Sequence, residues 1–183
     1  MMSNKMKVFV VEIIASEKGA SLTSGVKHIT EGNFLQEAYN IIGCNLVDYR
    51  SFEYKGTIYD VWFDDEFLLK SGPIYPTIIL GDLKPNFFDL ICGSFIIAKS
   101  NEDGETIGIS TDEANMLILF MHENLHKLRR AIQMGLIGNK KLHKFTRMRC
   151  TANQSRIFYL YTFGLTLQAI TSAFHPHMNS PPY

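Results

Sequence analysis

A chain of 183 residues, 46% hydrophobic and 20% charged, has an ordinary globular composition and enough apolar content for one domain, alone or with a substantial extension. Cys44, Cys92 and Cys150 are too far apart and odd in number for a disulfide framework, and MMSNKMK runs straight into VFVVEII without the pattern of a secretory signal. These features favour a reduced, cytoplasmic protein with thiols buried as small hydrophobes.

The formal net charge of zero conceals a division. Residues 1–123 hold all 18 acidic residues and nine of the 18 basic ones, whereas residues 124–183 hold the other nine basic residues and no acidic one. An acidic N-terminal part and a basic C-terminal part either attract each other or present the basic part to an external anion.

Lys7 to Ile14 (KVFVVEII) reads as a first strand, followed by a loop of small residues, SEKGASLTSG. Asn33 can cap a helix through Phe34, Leu35, Ala38, Ile41 and Ile42, with Gln36 three residues on and Gly43 as its stop. NLVDYRSFEY and KGTIYDVWF form a hairpin around Lys55-Gly56. In DDEFLLKSGPIYPTIIL, Pro73 and Pro76 exclude a central strand. Asp89 to Lys99 (DLICGSFIIAK) is the strongest strand, and its nearly unbroken apolar run suits a parallel or sandwiched position.

At Ser110 the period changes. Ser110 to Glu113 is a capping box, and Leu117, Met121, Leu125, Leu128 and Ile132 then recur on one helical face until Gly135 and Gly138. KKLHKFTRMR is basic and reads as loop or short helix. Asn153 can cap a last helix over residues 157–174, ended by His175-Pro176. That helix is uncharged like a membrane anchor, but Thr162, Thr166, Gln168, Thr171 and Ser172 dilute it, so no membrane span is expected. The fold expected is α+β: a small mixed β-sheet with one or two helices over residues 1–110, a basic two-helix extension over 111–175, and a disordered tail over 176–183.

An ordered set of pieces, MKVFVVE (6–12), NIIGCNLVDY (40–49), VWFDDEFLLK (61–70) and DLICGSFIIAK (89–99), resembles a small phage- and plasmid-borne domain family of unknown function. The resemblance covers about residues 6–112. The chain departs from that pattern at Ile42-Gly43 and at Ile74-Tyr75-Pro76, both in turns. The family carries no agreed catalytic residues, so the resemblance implies a mobile-element setting and no chemistry.

HENLH, residues 122–126, lies outside the resemblance and fits His-Glu-x-x-His on a helix. Helical spacing puts His122 and His126 on one face, where they could hold zinc with Glu123 as general base. A catalytic zinc needs a third protein ligand, and no acidic residue follows Glu123. His143, His175 and Cys92 remain as candidates. The simpler alternative, a solvated helix face with a Glu123–Lys127 pair, weighs more. Lys127, Arg129, Arg130, Lys140, Lys141, Lys144, Arg147 and Arg149 form a basic set that could sit on phosphates without sequence preference, or dock on the acidic part. Asp64-Asp65-Glu66 and NEDGE (101–105) read as water-facing turns.

The expectation is therefore a non-enzymatic accessory protein of a phage or mobile element, needing no cofactor, that binds a host protein, a nucleic acid or a small ligand. Its alternatives are a zinc-dependent hydrolase using His122, Glu123 and His126, and a polyanion binder using the basic set.

Overall fold

A computed structural model describes residues 4–16, 19–70 and 74–137, and the backbone of 145–151. The chain order is β1 (Lys5–Ser16), β2 (Gly19–Thr30), a single 3-10 turn (Glu31–Asn33), α1 (Phe34–Ile42), β3 (Val47–Tyr54) and β4 (Thr57–Asp64). It continues with β5 (Pro76–Gly81), β6 (Phe88–Cys92), β7 (Phe95–Ser100), β8 (Thr106–Ile107), α2 (Thr111–Gln133) and β9 (Phe145–Thr151). The main sheet runs β3-β4-β7-β1-β2-β9, with β8 beside the end of β7. Its pairs are antiparallel except β9, which lies parallel to β2. β5 and β6 form a separate antiparallel pair.

β7 sits between β4 and β1, and both its faces are buried. Phe95 and Ile97 join one cluster, closed by α2 and the β5–β6 pair through Leu117, Phe120, Met121, Ile78 and Ile91. Ile96 and Ala98 join the other, closed by α1 through Phe34, Ala38 and Ile42. A strand covered on both faces has no solvent side to supply polar residues, so Phe95–Ala98 and Val8–Val11 read as unbroken apolar runs. Burying each large apolar side chain contributes about 1.5–3 kcal/mol, which makes this three-layer contact the main support of the fold.

Local chemistry places the first helix and the hairpin where expected. Gly43, at φ 76°, ends α1, and its N–H donates to the Tyr39 carbonyl at 2.9 Å. Asn33 stands at the N-cap but its side chain makes no capping bond. Lys55 and Gly56, at φ 50° and 80°, form the two-residue turn between β3 and β4.

Three expectations change. SEKGASLTSG is not a loop: from Gly19 onward it is β2, paired along its length with β1. Its small and hydroxyl residues resemble a loop, yet Ala20, Leu22 and Ser24 are buried, and Ala20 and Leu22 join the cluster that α2 closes. DLICGSFIIAK is two strands in different sheets. Gly93, at φ 88°, breaks it, and its N–H donates to the Tyr75 carbonyl at 2.9 Å. In KKLHKFTRMR, the stretch from Phe145 is neither loop nor helix but β9, since the open edge of β2 offers backbone partners that composition does not reveal. The helix expected over 157–174 and the tail lie outside the described residues. No helix among the described residues is long and apolar enough to cross a membrane.

The Ser110 capping box is present with both bonds: Glu113 N–H to Ser110 Oγ at 3.1 Å, and Ser110 N–H to Glu113 Oε2 at 2.6 Å. Lys99 Nζ lies 2.8 Å from Glu113 Oε1. Burial alone would raise the Glu113 carboxyl, but the bonds from Lys99 and Ser110 and the Lys99 charge hold it below its ordinary 4.5. A carboxyl depressed in the folded state adds stability that is fully present above about pH 5 and is lost as pH falls through the folded value. The melting temperature of Lys99→Met, followed from pH 7 to pH 3, should therefore fall less on the acid side than that of the parent. An identical acid limb in both would show that the pair does not tune Glu113.

Gly81 also has a strict requirement. Its φ is 84°, and a Cβ there would collide with the Phe87 carbonyl oxygen, whereas Gly43 has open space around it. Gly43→Ala should cost about 1 kcal/mol for the left-handed backbone, and Gly81→Ala at least ~1 kcal/mol more. Urea midpoints of the two variants test this ranking.

Candidate binding site

Three turns into α2, the HENLH segment crosses the back of β5. Asn124, only 4% exposed, is its most buried residue. Its Oδ1 accepts from the Ile79 N–H at 2.6 Å, and its Nδ2 donates to the Ile79 carbonyl at 3.0 Å. Ile79 stands opposite Leu90 in the β5–β6 pair, with these main-chain groups turned outward. A primary amide reproduces the donor and acceptor of a neighbouring strand, so Asn124 closes an edge that would otherwise be buried unsatisfied.

Lys127, one turn on, donates from Nζ to the Gly81 carbonyl and reaches the Ile79 carbonyl at 3.5 Å. Burial lowers its pKa, and the Asp82 charge partly offsets this. Lys127 thus helps hold the hairpin, and among the described residues it does not make the expected pair with Glu123.

The histidines do meet: the His122 and His126 rings lie 4.8 Å apart, edge to face. His122 is half-buried and His126 exposed. Glu123 is exposed and lies close to the Tyr54 hydroxyl; burial first, then that carboxylate, push the Tyr54 phenol up. Among the described residues, no three His, Cys, Asp or Glu side chains gather where they could hold a metal ion. Cys92 is buried in β6, and its thiol is pushed up to about 12 by burial. His143 and His175 lie outside the described residues.

The basic set is only partly in view. Arg129 is half-buried and Arg130 exposed on α2. Arg147 and Arg149 belong to β9, opposite Ser21 and Thr23. Lys140, Lys141 and Lys144 lie outside the described residues.

The acidic turns are structural. Asp64, 7% exposed, accepts from the Glu66 N–H at 3.1 Å and pairs with Lys70 at 2.6 Å, so it does not face water as expected. In NEDGE, the Asn101 side chain accepts from the N–H groups of Asp103 and Glu105 at 3.0 and 2.8 Å. Asp60 is a buried carboxylate that sequence reasoning passed over. It accepts from the Ser51 and Ser100 hydroxyls, both at 2.6 Å. The one sequence signal was its place between Ile58 and Trp62 on an otherwise apolar face.

The structure adds a feature with no sequence signature. An open cleft of about 530 Å³ separates β3 from the turn of the β5–β6 hairpin, with Arg50, Phe52 and Glu53 on one wall and Leu80, Phe87 and Asp89 on the other. Phe87 is 69% exposed. Arg50 is paired with Asp48 at 2.5 Å, whereas Glu53 and Asp89, both exposed, have no ion-pair partner among the described residues. Comparison with protein-family models, curated proteins and solved structures finds no match for this chain.

Replacing Asn124 with Leu strands the Ile79 N–H and carbonyl inside the protein and should cost about 2–4 kcal/mol. His122→Ala and His126→Ala should each change stability by roughly 0.5–1 kcal/mol. Urea unfolding followed by Trp62 fluorescence measures all three; the reverse ranking would mean that the paired histidines, and not Asn124, hold this helix to the hairpin.

Proposed function

We propose that this chain is a non-enzymatic accessory protein of a mobile element that works by binding another protein through the cleft beside β3. The observation that carries this reading is Phe87, a large aromatic side chain left 69% exposed at the lip of a cleft about 530 Å³ in volume. Solvent-facing aromatics beside a concavity are characteristic anchors of protein recognition. The other groups around it are also of the binding kind: a charged rim, an apolar wall and an exposed strand edge. The mobile-element setting is supported by the resemblance of residues 6–112 alone.

Panning a phage-displayed library of random 12-residue peptides on the full chain should enrich binders. Phe87→Ala should weaken them at least about tenfold, a loss near 1.4 kcal/mol, while His126→Ala leaves them unchanged. Failure to enrich any binder, or equal binding to Phe87→Ala, would remove the cleft as the site.

A further inference from the structure

We infer that the occupant of this cleft is an extended peptide strand, alternating basic and apolar residues, that pairs with the free edge of β3; this rests on the cleft reading above. Among the described residues β3 is the outermost strand of the main sheet, with β4 as its neighbour on one side. The two-residue turn at Lys55-Gly56 sets the phase of that ladder, with Tyr54 opposite Thr57 as the closing pair. In an antiparallel pair the inward groups then alternate, so Tyr49, Ser51 and Glu53 turn their main chain away from β4.

At Tyr49 this edge is already occupied. Its N–H donates to Asp48 Oδ1 and its carbonyl accepts from Arg50 Nη1, both at 2.8 Å. At Ser51 and Glu53 the edge has no backbone partner among the described residues, and these same two residues line the cleft. The coincidence of open backbone with concave space is what strand addition needs: main-chain bonds for affinity, and room for alternate side chains for specificity.

The opposite wall is held in place. Asn124 and Lys127 fasten β5, and the turn is closed by Asp82 N–H to the Phe87 carbonyl at 3.0 Å. A peptide would therefore meet a preformed slot. Phe52 and Phe87 offer surface to its apolar side chains, while Glu53 and Asp89, with Arg50 already neutralised by Asp48, favour Lys or Arg at the rim. Pairing with the β3 edge of a second copy is disfavoured, because it would bring the Glu53 carboxylates of both copies to one seam.

The test uses the peptides recovered by panning, each synthesised in three forms: unmodified, and N-methylated at one or the other set of alternate residues. N-methylation removes donors without touching side chains. Strand addition predicts that one methylated set loses at least about tenfold in affinity while the other binds as the parent does, that the recovered peptides are enriched in Lys or Arg, and that Glu53→Lys weakens binding. It also predicts slower hydrogen exchange at the Ser51 and Glu53 amides in the complex. Binding that depends on Phe87 but is indifferent to both methylation patterns would overturn strand addition and leave the cleft standing as the site. Binders without basic residues would overturn the charge assignment, and a chain that sediments as a dimer through β3 would overturn the choice of occupant.

Discussion

One buried amide fixes the part of the architecture on which the cleft depends. Asn124 bonds both main-chain groups of Ile79, and through them fixes a two-stranded hairpin that shares no ladder with the main sheet. A hairpin alone is marginal in water and needs a surface to pack against. Here Ile78 and Leu80 enter the main core, while Ile79 packs against Leu128 and Ala131 on α2. Apolar contact fixes the distance between helix and hairpin but not their alignment along the strand. The directional bonds of Asn124 and Lys127 set that alignment, and with it the width of the cleft beside β3.

The same pair of residues changes the meaning of HENLH. In a zinc site its outer residues would matter most. In this fold the middle one does, because the face of α2 that meets β5 carries Leu117, Met121, Asn124, Leu128 and Ala131, all buried. His122 and His126 lie beside this face, close to each other but without a third ligand among the described residues. Spacing alone could show that two histidines share a helix surface. It could not show that the asparagine between them points at a strand.

The candidate site was the least legible part of the chain. Nothing in the sequence singled out Phe87, and Arg50 and Glu53 stood in an ordinary hairpin strand. Their conjunction arises from two segments about 35 residues apart, brought together by a helix that follows both. The buried Asp60 was hidden for a related reason: its partners Ser51 and Ser100 lie on the strands either side of β4.

Sequence by itself determined the features whose causes are local. The β3–β4 turn follows from Lys55-Gly56, the end of α1 from Gly43, the start of α2 from Ser110 and Glu113, and the α+β class from the change of hydrophobic period near Ser110. Tertiary structure decided the rest. It made a strand of the loop-like segment after Gly19, split DLICGSFIIAK between two sheets at Gly93, and paired the stretch from Phe145 with β2. Each of these depends on a partner distant in sequence, and backbone hydrogen bonding, the same for every residue but proline, leaves no signature in side-chain pattern.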